Sequence, residues 1–243
     1  MGKVIVITSG KGGTGKTTTA AAVSSCLAAL GHRTLALDCD IGLRNLDVSL
    51  AMSDFTVTDL LDVLENRVAL SEAAHEHPKI PNLFFLAAPA SASPEEIDAD
   101  KMALLIADAR ENFEYTVIDC PAGIGAGFRL AAKSADAAII VATGDVSSIR
   151  DASVAVARLI DMTIPEVRLL VNRFDGRRAR RLRETVDDMI DDAGARLIGI
   201  VREDERVPDA VSDDTPLVLY GGTGAARDFL DVARRLTGEE LPI

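Results

Sequence analysis

The stretch that decides the fold is Lys3-Val4-Ile5-Val6-Ile7-Thr8-Ser9-Gly10-Lys11-Gly12-Gly13-Thr14-Gly15-Lys16-Thr17-Thr18. Val4–Thr8 is a short, continuous β-branched run, as in a strand buried on both faces. It feeds a glycine-rich turn, and Gly10–Thr17 matches G-x-x-x-x-G-K-[ST]. Val23, Leu27 and Leu30 then repeat at helical spacing. Strand, glycine loop and helix in this order is the context in which the motif holds phosphate. The glycines let successive N–H groups face a phosphate chain, and the helix N-terminus adds the positive end of its dipole. Lys16 is expected to reach the β- and γ-phosphates and the Thr17 hydroxyl to bind Mg²⁺. Gly12, Gly13, Thr14, Gly15 and Thr18 complete the cradle.

Outward from this loop, similar apolar runs recur at Thr34–Asp38, Leu83–Ala87, Tyr115–Asp119, Ala138–Thr143, Val167–Asn172 and Leu197–Val201. Helical stripes lie between them: Ile149, Ala152, Val156, Leu159 and Ile160; Leu182, Val186, Met189 and Ile190; Phe229, Leu230, Ala233 and Leu236. Strand and helix alternate to the end. That pattern predicts one α/β domain over residues 1–243, a doubly wound, mostly parallel sheet with helices on both faces. Ligands in such folds sit at the carboxyl ends of the strands.

Carboxylates cluster at those ends. Asp38 and Asp40 follow the second run. Physics alone leaves two readings level: organisation of metal and water, or acidic caps for the next helix. Asp119 closes an apolar strand, the Walker B pattern, and should hold Mg²⁺. Asn172 and Arg173 end a later strand. An Asn amide can donate and accept at the edge of a base, and an Arg plane can stack on its ring. No N-K-x-D guanine motif follows, so ATP is favoured over GTP.

Lys11 adds a second lysine early in the loop, and the pattern K-G-G-x-G-K-T resembles the deviant Walker A motif of the MinD/ParA family. Asp38-Cys39-Asp40-Ile41-Gly42-Leu43-Arg44-Asn45-Leu46-Asp47 is similar to switch I of the MinD branch. Asp119-Cys120-Pro121-Ala122-Gly123-Ile124 resembles its switch II, and Val146-Ser147-Ser148-Ile149-Arg150-Asp151 its V-S-S-V-R-D segment. The resemblance implies a P-loop ATPase that dimerises with ATP and hydrolyses it slowly until an activating protein binds. It implies that Lys11 crosses to the other subunit's nucleotide and acts with Lys16 in catalysis. Asp40 would position the attacking water, and Asp38 would support the metal. Asn172 and Arg173 would contact adenine, as would Asp204 in a segment similar to the family's P-E-D, with Arg202 in place of the proline. The helix after Val146 would lie at the dimer and partner surface. There the branch commonly has a second acidic residue two positions after the Asp, and this chain has Ser153.

Composition bounds the partners. Basic residues number 26 and acidic residues 38, for a net charge of −12. DNA would therefore need a local basic patch. With no Trp, two Tyr and seven Phe, a Trp-based stacking platform is excluded. Arg177, Arg178, Arg180, Arg181 and Arg183 supply one basic cluster, at the expected start of a helix whose end holds Asp187, Asp188, Asp191 and Asp192. That order opposes the macrodipole. Both a solvated charged helix and an anion-binding face fit it. The three cysteines, Cys26, Cys39 and Cys120, form no CxxC or zinc spacing and read as reduced thiols of a cytoplasmic protein. Gly238–Ile243 does not match the branch's basic amphipathic tail and is too short and too acidic to dock on anionic lipid, so the expected place is cytoplasmic, with a peripheral place at the inner face of the membrane left open. The expected role is division-site placement. The alternatives are a ParA-like DNA-partitioning or flagellar-placement ATPase, a metal–sulfur carrier, and a nucleotide-binding scaffold without turnover.

Overall fold

The computed structural model describes residues 1–41, 43–177 and 185–243. The described elements run β1 (Lys3–Thr8), α1 (Lys16–Ala29), β2 (Thr34–Asp38), α2 (Leu46–Ser49), α3 (Leu60–Leu64), α4 (Leu70–Ala73), β3 (His75–Glu76), β4 (Leu83–Leu86), α5 (Ala99–Asn112), β5 (Tyr115–Asp119), α6 (Ala126–Ala132), β6 (Ala137–Thr143), α7 (Val146–Asp161), β7 (Glu166–Phe174), α8 (Val186–Ala193), β8 (Arg196–Arg202), α9 (Arg206–Ser212) and α10 (Ala225–Leu236).

One sheet is formed in the order β3-β4-β2-β5-β1-β6-β7-β8. Every pairing is parallel except β3 with β4. Each apolar run of the sequence is a strand of this sheet. The two-residue β3 carries no pattern from which it could be read. β1, β2, β5 and β6 lie in the interior of the sheet, and their side chains are buried almost throughout. That explains why they read as continuous rather than alternating apolar runs. One face carries Ile5, Ile7, Ala36, Val117 and Ile139, covered by α1 and α10. The other carries Val4, Val6, Leu35, Leu37, Ile118 and Ile140, covered by α5, α6 and α7. α1 is buried on most sides, so its apolar residues show no clean stripe. Ile160, read as part of the buried stripe of α7, is instead 59% exposed.

The acidic cluster also departs from its reading. Asp187 and Asp188 do not end a helix; they open α8. Thr185 is the cap: its hydroxyl oxygen accepts from Asp188 N at 3.1 Å, and Asp188 Oδ2 accepts from Thr185 N at 3.1 Å. The two acids thus sit where the helix dipole favours them. Of the arginine cluster, Arg177 is exposed and its N–H donates to Asp175 Oδ1 at 2.9 Å. Arg178, Arg180, Arg181 and Arg183 lie outside the described residues, as does Leu182.

Candidate nucleotide site

The sheet order puts β1 between β5 and β6, and the carboxyl ends of β1, β2, β5 and β7 gather the expected site. Between β1 and α1 the chain curls through Gly13 and Gly15, with φ of +78° and +92°. L side chains rarely adopt this backbone, and Gly15 adopts it as the N-cap of α1. A Cβ at Gly15 would stand 2.3 Å from Asn172 Nδ2. At Gly12 and Gly13 a Cβ would meet nothing within 4 Å among the described residues.

Asn172 is buried, and its Nδ2 donates to the Thr14 carbonyl at 2.8 Å. The end of β7 therefore braces the loop through the space Gly15 leaves. That commits to the loop the donor half of the expected base contact. Arg173 is exposed, with φ +54°, and its Nε donates to Glu203 Oε2 at 3.0 Å. Asp204 is spent internally. It accepts from Arg206 N, Nε and Nη2 and from Ala225 N, and these donors hold its carboxyl down at about 2.

Lys16 is buried at the start of α1. Thr17 and Thr18 are half-buried in the same turn. Asp38 and Asp119 face each other across the β2–β5 pairing, each 1% exposed. Asp38 Oδ1 accepts from Asp40 N at 2.9 Å and Oδ2 from Leu46 N at 3.4 Å, so this carboxylate folds the 38–46 loop back onto itself. Burial pushes its carboxyl up to about 7, against those two bonds. Burial and the nearby Asp38 push Asp119 up to about 8, while the Thr17 hydroxyl and the Lys16 ammonium pull it down. Neither Asp119 oxygen has a hydrogen-bond partner of good geometry among the described residues, nor does the buried Thr14 hydroxyl. Leaving such groups unmade costs about 1–3 kcal/mol each, more when charged. Asp40 is half-buried beside Lys16; burial raises its pKa and Lys16 opposes the rise.

This donor set fits Mg²⁺ and phosphate. The Asp119 carboxylate and the Thr17 hydroxyl beside it are hard oxygen ligands, and Mg²⁺ ordinarily keeps waters and phosphate oxygens as its remaining ligands. Among the described residues no group of three or more His, Cys, Asp or Glu side chains is placed to hold a metal unaided.

Sequence reasoning missed Asp145. It is the N-cap of α7, and its carboxylate accepts from Thr143 Oγ1, Ser147 Oγ and Ser148 N. It also takes Lys11, whose Nζ lies 3.1 Å from Asp145 Oδ1 and 2.9 Å from Ser147 Oγ. Together these donors hold Asp145 well below the usual carboxylate range. The Asp before Val146-Ser147-Ser148 is a capping signal; nothing local to it points to Lys11.

Residues 5–217 match the family model described as CobQ/CobB/MinD/ParA nucleotide binding domain. The chain belongs to the MinD/ParA family of nucleotide-binding proteins. Within that family its likeness runs to MinD. It is 38% identical over 246 residues to the septum site-determining protein MinD of Synechocystis sp., covering 100% of this chain and 92% of that protein. A chain of the MinC:MinD cell division complex of Aquifex aeolicus superposes with a TM-score of 0.92 at 38% identity, covering 99% of this chain and 98% of that one. MinD of Pyrococcus horikoshii complexed with Mg-ADP superposes with a TM-score of 0.86 at 28% identity, covering 97% and 96%. The MinD/ParA fold expected from the sequence is the fold observed.

Proposed function

We propose that the chain is a Mg²⁺-dependent ATPase of the MinD type, an ATP-driven dimerising switch in division-site placement. The observation that carries this reading is Asp119, a buried carboxylate with no hydrogen-bond partner of good geometry among the described residues, at the foot of a phosphate loop beside Lys16 and Thr17. Asp119 and Thr17 would hold Mg²⁺, with Asp38 behind them, and the ion would supply charge neutralisation at the phosphates. The N–H groups of Gly12–Thr18 bind the phosphate chain, and Lys16 balances its charge. Asp40 orients the attacking water. Arg173 offers its guanidinium plane to adenine. Lys11 would leave Asp145 and act on the second subunit's nucleotide.

The likeness to MinD supports the division-site role, and the MinC:MinD complex supports a protein partner. α7 offers Val146 and Val154 to such a partner, 72% and 48% exposed. No described helix is long and apolar enough to cross a membrane, so attachment would be peripheral. The DNA-binding alternative rests on the arginine cluster, most of which lies outside the described residues, and no observation favours it.

Light scattering with ATP and with ADP, alongside phosphate release, tests the reading. ATP alone should give dimers. Lys16→Ala should lose nucleotide binding. Lys11→Ala should bind ATP yet neither dimerise nor hydrolyse it; a fully active Lys11→Ala protein refutes the trans role. Co-sedimentation with liposomes under each nucleotide tests membrane attachment.

A further inference from the structure

Two thiols stand at the roots of the loops that face the nucleotide site. Asp38 pairs with Asp119 in the β2–β5 register, and the Cys39 N–H donates to the Asp119 carbonyl at 2.9 Å. In a parallel ladder that bond comes from the residue opposite the next position, here Cys120. Side chains alternate along a strand. Leu35, Leu37, Cys39, Ile118 and Cys120 share the core under α5, α6 and α7, while Ala36 and Val117 share the core under α1. Both thiols therefore leave the sheet on the same face, opposite to the carboxylates. Adjacent strands lie about 4.8 Å apart, within the Cα separation of about 4.4–6.8 Å that a disulfide spans. Cys26 lies in the core of the other face.

We propose that Cys39 and Cys120 are an oxidation site. A peroxide-class oxidant converts them to a disulfide that ties the Asp38–Asp47 loop to the Asp119–Gly123 loop. One thiol attacks the peroxide oxygen to give a sulfenic acid and water. The second attacks that sulfur, forming the S–S bond and releasing a second water. Two thiols are thus oxidised by two electrons as one peroxide is reduced. With Cys39 1% and Cys120 0% exposed, burial keeps both groups as thiols, so attack by either requires its local exposure to solvent first. Facing strands set the two Cβ atoms wider than the about 3.8 Å of a relaxed disulfide. The bond is therefore strained and readily reduced, as in regulatory rather than structural disulfides. The effect on turnover rests on the reading that these loops carry Asp40 and Asp119.

The test treats the reduced full-length chain with hydrogen peroxide, blocks free thiols, and analyses a non-reducing digest by mass spectrometry. The expected result is a linked Cys39–Cys120 peptide pair and a fall in titratable thiols from three to one. ATP turnover should fall about tenfold or more, and dithiothreitol should restore it. Cys39→Ala and Cys120→Ala should each form no intramolecular link and keep their own turnover under oxidant. Three free thiols after oxidation, a link through Cys26 or between chains, or a linked protein with undiminished turnover would each overturn the proposal. If the reduced protein hydrolyses no ATP, the ATPase reading fails, and the linked peptide alone decides the oxidation site.

Discussion

Lys11 Nζ lies 3.1 Å from Asp145 Oδ1, so the second lysine of the phosphate loop is held by the cap of α7 in its own chain. To act across the proposed dimer it would first have to give up this partner. Both side chains are about a third exposed, and such a pair contributes no more than about 1 kcal/mol. Release is therefore cheap, and in the proposed dimer the pair would set a small bias against assembly. Asp145→Asn keeps a good N-cap and removes the charge. The ATP-bound dimer of this variant should form at a protein concentration about two- to fivefold lower. Sedimentation equilibrium with ATP checks this; an unchanged or weaker dimer would show that the pair does not compete.

Gly15 and Asn172 make a second long-range fit. Gly15→Ala forces a side chain into φ +92° and sets a Cβ 2.3 Å from Asn172 Nδ2. Strain of this kind costs about 1–3 kcal/mol. Asn172→Ala leaves the glycine and removes the Nδ2 bond to Thr14, at about 1–3 kcal/mol. Both variants should bind a fluorescent ATP analogue at least about tenfold more weakly, and Gly15→Ala should also unfold at lower urea. Wild-type affinity in Asn172→Ala would mean that the loop keeps its shape without this brace.

The phosphate loop is legible because its requirements are local. Positive φ at Gly13 and Gly15, a preceding strand and a following helix are all written between Lys3 and Ala29. The strands are legible because burial on both faces makes them apolar throughout. The contacts that complete the site are not local. Lys11 and Asp145 are 134 residues apart, Thr14 and Asn172 are 158 apart, and Cys39 meets Cys120 only because β5 lies beside β2. Sheet order decides such contacts, and no pattern along the chain encodes it. The start of α8 is an intermediate case. Thr185 with Asp188 is a readable cap, but the charges upstream and the apolar spacing from Leu182 suggested one longer helix.

The burial of Asp38 and Asp119 predicts the sign of a pH dependence in the nucleotide-free protein. Their carboxyls are pushed up to about 7 and about 8, from an ordinary value of 3.8. At these two groups the folded chain therefore binds more protons than the unfolded chain between about pH 4 and pH 8, and their contribution to stability falls as pH rises through that window. Mg²⁺ held as proposed would bind the ionised form and oppose the fall. In EDTA, the melting temperature should decline from about pH 6 to pH 8. Asp119→Asn should flatten the decline, and Mg-ADP should remove it in the wild type alone. A decline of equal slope in Asp119→Asn would assign the effect to other groups.

Asp204 poses the sharpest choice between a structural and a ligand-contacting role. Its Oδ1 accepts from Arg206 N and Nε at 3.1 and 3.0 Å, and its Oδ2 from Arg206 Nη2 and Ala225 N at 2.7 and 2.8 Å. Gly224, at φ +62°, leaves the room, since a Cβ there would stand 2.1 Å from Asp204 Oδ2. The carboxylate thus ties the loop after β8 to the first turn of α10. Its pKa is depressed, so it stabilises the fold at neutral pH and loses that effect only as pH falls toward about 2. Asp204→Ala should lose about 1–3 kcal/mol of stability. In a chain of this size each kcal/mol lowers the melting temperature by about 2–4 °C. ATP affinity of the folded variant, measured by calorimetry well below its melting point, should change less than about threefold, since a structural tie acts on folding rather than on the ligand. A tenfold or greater loss of affinity with the melting temperature unmoved would instead place Asp204 against the nucleotide.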